Sequence, residues 1–315
     1  MRLIQIITDY IALKKSMGRH FRTDAKILMR FCRAAGDIEI SKVEPGNVFD
    51  FIRGKGPVTI FWHQKFNVLK RFYRFAMARN YASSSPLPTV IPKRPQAFSP
   101  HIYTKEEIRK MIEATEILQN PKDSPLQALT FRTLFLTLYG AGLRISEALS
   151  LTLSQVKLSE SLLVVECSKF YKTRLVPIGP QLTNELCSYR EKRCQLPLPK
   201  GKDSAFFATR PGNSLHYNRV GTIFRVLRQH AKIHRKDESG CPPRIHDLRH
   251  SFAVHRLVSW YREGKDVQRL LPQLSTYLGH VDISQTQHYL SMTPELLREA
   301  NKRFEQYALA EVRHA

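Results

Sequence analysis

Five prolines, Pro86, Pro88, Pro92, Pro95 and Pro100, follow directly on the run Ser83-Ser84-Ser85. Each fixes φ and lacks an amide donor, so neither a helix nor a central strand continues through this stretch. The chain is therefore expected to fold as two bodies, residues 1–82 and 101–315, joined by an extended linker over 83–100. A length of 315 residues points to about two domains as well. Each is large enough to bury a core without a disulfide or metal staple. Hydrophobic residues make up 42% and charged residues 24%, an ordinary globular composition. No apolar run approaches the roughly 20 residues that span a bilayer. The first ten residues carry Asp9 and no small-residue cleavage site, so no secretory signal is expected.

Before the linker the pattern is helical. Over 58–78, Phe61, Val68, Leu69, Phe72 and Phe75/Ala76 recur at helical spacing, interleaved with Lys65, Lys70, Arg71, Arg74 and Arg79. An apolar stripe beside a basic face suits a helix that packs on one side and meets phosphates on the other. Shorter helices are expected at about 3–16, 22–35 and 44–53. After the linker, Thr104 with Glu107 forms a capping box for a helix reaching about residue 118. Further helices are expected at 125–139, 144–151, 181–192, 217–234, 246–258, 265–277, 283–290 and 294–311. Residues 162–166 and 174–178 read as short strands joined through 168–173, and 206–208 as a third. The fold class is mainly α with a small antiparallel β-sheet.

Charge narrows the function. Lys plus Arg number 50 against 27 Asp plus Glu, a net of +23. Such an excess repels itself unless an anion neutralises it; nucleic acid is the first candidate, an anionic membrane surface the second. Residues 1–100 hold 18 basic and 6 acidic side chains, about twice the net charge density of the remainder. The five cysteines, Cys32, Cys167, Cys187, Cys194 and Cys241, are odd in number and form no C-x-x-C pair, as expected of reduced thiols in a cytoplasmic protein.

Four clusters in the second body carry chemistry. In Gly142-Leu143-Arg144-Ile145-Ser146-Glu147 a glycine turn opens a helix, with Arg144 in its first turn and Glu147 three residues on. Arginine opposes the helix dipole there, and a bound anion repairs the conflict. In His246-Asp247-Leu248-Arg249-His250 the His246 and Arg249 side chains share a helix face, an arrangement suited to a phosphate. Zinc is the weaker alternative, because Arg249 sets a cation beside the two histidines and the glutamate of H-E-x-x-H is missing. The third cluster is Leu278-Gly279-His280, with Tyr289 nine residues beyond His280. The fourth is a hairpin bearing Lys169 and Lys172. Singly, each has an ordinary structural explanation: an Arg–Glu surface pair, a core tyrosine, a solvated loop tip.

In order along the chain, these words resemble the tyrosine recombinases, the phage integrase family, over about residues 100–300. The basic helical first body is similar to that family's core-binding domain. The resemblance implies an N-terminal helical core-binding domain (residues 1–82) and a tyrosine-recombinase catalytic domain with a C-terminal helix (residues 101–315). It puts the phosphate-clamping arginines at Arg144 and Arg249, the site histidines at His246 and His280, and the nucleophile at Tyr289. Glu147 orients Arg144 and His250 supports its helix. The general-acid lysine falls on Lys169 by the pattern Ser168-Lys169-Phe170-Tyr171-Lys172-Thr173-Arg174-Leu175-Val176-Pro177, with Lys172 the alternative because Ser168 and Phe170 replace two glycines of the family pattern. The segment 258–273, with Trp260, Tyr261 and Arg262, looks longer than the family's.

The implied activity is site-specific recombination of double-stranded DNA through a 3′-phosphotyrosine link, without metal, nucleotide or other cofactor. The implied partners are duplex DNA and three further copies, a tetramer on two duplexes, with a second recombinase or accessory protein as a further candidate and no membrane. The implied location is the cytoplasm, at the nucleoid. The helix starting at Pro294 is expected to pack on a neighbouring copy, with packing on its own chain the alternative. Competing readings are a type IB topoisomerase-like relaxing activity and a non-catalytic DNA-binding protein. Lys65, Lys70, Arg71 and Arg74 are the expected phosphate contacts of the first domain. If six to ten phosphates are neutralised, affinity for duplex DNA falls by roughly 10³–10⁵ between 50 and 200 mM salt; a titration over that range checks this.

Overall fold

The structure, a computed structural model, describes residues 1–18, 21–54, 56–95, 99–118, 127–166, 173–235 and 241–314, with side chains as far as residue 305. Contacts divide it into two units, Met1–Ala97 and Phe98–Ala315.

The first unit is built on helices α1 (Leu3–Ser16), α2 (Arg22–Ala35), α3 (Pro45–Arg53) and α4 (Ile60–Ala78). Local chemistry sets their limits. Pro45 opens α3, where Glu44 and Asn47 form a capping box. Thr59 accepts the amide of Trp62 and so starts α4 at residue 60, two residues after its expected start. Gly36 and Gly54, both at positive φ, end α2 and α3. The buried stripe of α4 runs Trp62, Phe66, Val68, Leu69, Phe72, Tyr73 and Ala76; it keeps the expected Val68, Leu69, Phe72 and Ala76, but Trp62 and Phe66 replace Phe61, which is exposed. Tyr10 meets Phe21 and Phe72 edge-on across the core.

The second unit carries α5 (Lys105–Glu113), α6 (Gln127–Gly140), α7 (Ile145–Ser150), α8 (Pro180–Cys194), α9 (Tyr217–His230), α10 (Asp247–Arg262), α11 (Val267–Leu278), α12 (Ser284–Gln287) and α13 (Pro294–His314). The Thr104–Glu107 capping box is present, and α5 tightens into a 3₁₀ turn over Ala114–Leu118. Strands β1 (Val156–Lys157), β2 (Leu162–Val165) and β3 (Arg174–Pro177) form an antiparallel sheet in that order. The register Leu163↔Val176 places two fully buried side chains opposite each other. Among the described residues no helix is long and apolar enough to cross a membrane.

Two expectations change. Residues 206–208 make only isolated bridges; Phe206 and Phe207 are core anchors, held because Phe206 N donates to Leu151 O at 2.8 Å and buried Arg193 donates to Ala205 O at 2.8 Å. The expected helix 283–290 is two short pieces, α12 and a 3₁₀ turn over His288–Ser291. The first turns of α13 pack on their own chain: Leu296 is fully buried, and Arg262 pairs with Glu295 at 2.7 Å and Glu299 at 3.4 Å. Leu297 and Phe304 face solvent. The long segment 258–273 thus extends α10 and α11 around the turn at Gly264, and its Arg262 holds α13.

Gly142 joins the main core to a second cluster centred on α10 and α11. Its φ is +59°, and a Cβ there would meet Phe252 Cδ1 at 2.5 Å and Leu278 Cδ2 at 3.1 Å. A left-handed residue with a Cβ costs roughly 1–2 kcal/mol, and overpacking about 1–3 kcal/mol more. Gly142→Ala is therefore expected to lower the melting temperature of the full chain by roughly 4–20 °C, read by circular dichroism.

Candidate active site

The site is assembled around the Gly142 turn. The turn leaves Arg144 as the N-cap of α7, one position outside the helix, with φ −68° and ψ 144°. Glu147, at the third helical position, folds back to accept Arg144 N at 2.9 Å and Arg144 Nη1 at 2.8 Å. This aims the Arg144 guanidinium across to the end of α11, where Nη2 donates to Gly279 O at 3.0 Å and Nη1 approaches Leu278 O at 3.5 Å. Gly279 ends α11 in the left-handed region, φ +67°, which turns these carbonyls toward the site.

Helix α10 contributes from the other side. His246 caps it, and Asp247, fully buried, accepts Arg244 N at 2.9 Å and Arg244 Nη2 at 3.1 Å. One turn on, Arg249 is 2% exposed; its Nη1 donates to Gly142 O at 2.7 Å and its Nη2 to Leu278 O at 2.5 Å. Arg144 and Arg249 thus converge on one carbonyl, that of Leu278. Burial and the neighbouring Arg144 lower the Arg249 pKa to about 10. The His246 and His250 rings meet edge-on at 4.9 Å.

Tyr289 lies on the 3₁₀ turn, with His250 Nδ1 3.2 Å from its hydroxyl and the His280 ring 6.1 Å away at 26°. His280 Nδ1 shares a 2.7 Å hydrogen bond with Thr286, a fully buried side chain of α12. Burial lowers the pKa of both His250 and His280 to about 4, His246 adding to the first and Arg249 to the second. Burial and Arg249 lower that of His246, although the residue as a whole keeps solvent exposure. Burial raises the Tyr289 pKa, opposed by the charge and hydrogen bond of Arg249 and the charge of Arg144.

Sequence reasoning missed one residue of this cluster. Arg174, the first residue of β3, grips Glu147 with both terminal nitrogens, at 3.0 and 2.8 Å, and donates from Nε to Tyr277 O at 2.9 Å. Its only signal was the position two residues before the Val176-Pro177 end of the hairpin pattern. Glu147 also lies 3.9 Å from Arg249, so one carboxylate, 6% exposed, serves three guanidiniums. Burial alone would raise its pKa, but Arg174 and then Arg144 bring it down to about 2. Lys169 and its alternative Lys172 lie outside the described residues. Of the expected first-domain contacts, Lys70, Arg71 and Arg74 are exposed, with Arg71 paired to Asp24 at 2.8 Å. Lys65 is half-buried and turned inward, donating to Phe51 O at 2.6 Å between the rings of Phe51 and Phe61. Among the described residues no group of three or more His, Cys, Asp or Glu could hold a metal ion.

The model of the phage integrase family matches residues 102–295. The protein y4rB of Sinorhizobium fredii, which carries an integrase/recombinase name, is 31% identical over 96% of each chain. The tyrosine recombinase XerD of Ralstonia nicotianae is 28% identical over 94% of this chain and 91% of its own. Among solved structures, the Tn1549 transposon integrase in complex with transposon right end DNA superimposes with a TM-score of 0.69 at 16% identity, covering 98% of this chain and 100% of that one. A lambda integrase dimer bound to a COC′ core site gives 0.65 at 16% identity over 92% and 77%. The chain belongs to the phage integrase family and is a tyrosine-type site-specific recombinase.

The depressed pKa of Glu147 has a stability consequence. Held ionised in the fold, it stabilises above its ordinary pKa of 4.5, and that contribution is lost as pH falls toward about 2. The shift corresponds to something on the order of 3 kcal/mol. Glu147→Gln is expected to melt roughly 6–12 °C lower at pH 7, the gap narrowing below pH 4.5; thermal melts across that range check it.

Proposed function

We propose that Tyr289 is the nucleophile of this recombinase and that Arg144, Arg249, His246 and His280 surround the scissile phosphate. The observation that carries this is the convergence of Arg144 and Arg249 on the Leu278 carbonyl, beside the Tyr289 hydroxyl. A carbonyl oxygen that accepts from two guanidiniums occupies the kind of position a non-bridging phosphate oxygen takes.

The chemistry is a transesterification. The Tyr289 oxygen attacks phosphorus, the P–O5′ bond breaks, and a 3′-phosphotyrosine diester and a free 5′-hydroxyl remain. One phosphodiester is exchanged for another, so the step is near balance and reverses on a new 5′-hydroxyl. A phenol is a weak nucleophile at neutral pH. Here His250, neutral near pH 7, is placed to accept its proton, and the two arginines stabilise charge growing on the non-bridging oxygens. Losing one such donor typically costs about 10²–10³ in rate. Lys169, with Lys172 the alternative, is proposed to protonate the leaving 5′-oxygen. Tyr289 is 3% exposed, so attack requires the His288–Ser291 turn to shift from its resting packing.

Duplex DNA is the proposed partner, bound in part through the exposed Lys70, Arg71 and Arg74 of the N-terminal helical unit, which takes the role of a core-binding domain. A tetramer on two duplexes is the proposed working assembly; a relative solved as a lambda integrase tetramer bound to a Holliday junction supports it. The proposed location is with the cell's DNA in the cytoplasm, at the nucleoid. The test uses nicked suicide duplexes carrying the flanks of the protein's own coding region. Tyr289→Phe is expected to bind this DNA as tightly as the parent protein and to form no covalent adduct in denaturing gels. An adduct retained by the variant overturns the assignment.

A further inference from the structure

We propose that Arg174 is a positioning residue of strand cleavage: it locks Glu147, and Glu147 in turn aims Arg144 at the scissile phosphate. The inference rests on the catalytic reading of Arg144 given above.

The geometry separates Arg174 from a phosphate-binding arginine. Its side chain is 10% exposed, and all three guanidinium nitrogens are engaged within the protein, Nη1 and Nη2 on Glu147 and Nε on Tyr277 O. It therefore acts through its neighbours. Arg144 is held by Glu147 on one side and by the carbonyls that end α11, Leu278 O and Gly279 O, on the other, and Arg174 supports both sides. It fixes the carboxylate by a two-pronged ion pair, a grip that a guanidinium makes and an ammonium cannot reproduce. It also braces the end of α11 through Tyr277 O and by lying against Gly279. A Cβ on Gly279 would stand 2.8 Å from Arg174 Nη1, 3.0 Å from Cζ and 3.2 Å from Cδ, so the missing side chain is the space this arginine fills. Strand β3 is thereby tied to the α7 cap and the α11 terminus through one side chain.

Without Arg174, Glu147 keeps Arg144 from α7 and, at 3.9 Å, Arg249 from α10. It loses the partner that contributes most to holding it ionised. Two effects follow: the carboxylate is freer to rotate and carry Arg144 with it, and it becomes protonatable at mildly acidic pH.

The experiment compares the full-length protein with R174K, R174Q, E147Q and R174Q/E147Q in single-turnover adduct formation on the suicide duplex, from pH 4.5 to 8. R174Q is expected to bind the duplex normally and to cleave about 100-fold more slowly, as a misplacement near 1 Å would cause. R174K is expected to fall between R174Q and the parent. The double variant should be no slower than E147Q, because the two residues act in series. R174Q should lose further rate on the acid side, and R174Q/E147Q should not, although His246, His250 and His280 titrate alike in both. A parent-like R174Q, or losses that multiply in the double variant with equal pH profiles, overturns the proposal. Should R174Q fail to fold by circular dichroism, R174K against R174K/E147Q decides on the same criteria. A parent protein that forms no adduct overturns the catalytic reading, and this inference with it.

Discussion

One buried carboxylate organises the second unit's chemistry. Glu147 lies between Arg144 on the α7 cap, Arg174 on β3 and Arg249 on α10. Three guanidiniums gathered without an anion would repel one another in a poorly hydrated space. A single carboxylate, itself costly to bury alone, makes the group tolerable. Each partner comes from a different element, so the same contacts that satisfy charge also fix how helix cap, strand and helix meet. The net positive charge left over is aimed at the space where a phosphate is proposed to enter.

Backbone carbonyls complete the arrangement. Gly142 O and Leu278 O accept from Arg249, and Leu278 O and Gly279 O accept from Arg144. Both carbonyl groups sit at glycine-made turns, one opening α7 and one closing α11. The arginines are therefore already stripped of much of their water and pointed before any ligand arrives, which is the condition for electrostatic preorganisation. The histidines contribute differently. With pKa values near 4, His250 and His280 are neutral over the ordinary pH range and add no charge to the resting cluster.

Much of this was legible in the sequence because it is local. The capping box at Thr104, the proline at the start of α3 and the stretch of prolines after residue 85 each depend on neighbours within a few positions. The spacing of His246, Arg249 and His250 likewise fixed which side chains share a face. What the sequence left out depends on distant partners. Arg174 meets Glu147 across 27 positions, and no periodicity announces such a pair. The register of α4 held from Val68 to Ala76, but its first turn did not, because Trp62 and Phe66 are buried where Phe61 was expected, a choice made by the opposing helices. Phe206 and Phe207 looked like a strand, yet Phe206 N is held by Leu151 O and the preceding Ala205 O by Arg193, both from elsewhere. The first turns of α13 stay on their own chain through Arg262, a residue of the segment whose length alone had marked it out.

The near-complete burial of the Tyr289 ring bears on what the protein does between encounters. In the proposed reading, a chain with this much positive charge also meets double helix of any sequence through its phosphates. In that reading, with its phenol sheltered against His250 and His280, such encounters leave the strands intact. In the proposed reading, the tuck of one aromatic ring separates a protein that patrols the chromosome from one that nicks it indiscriminately.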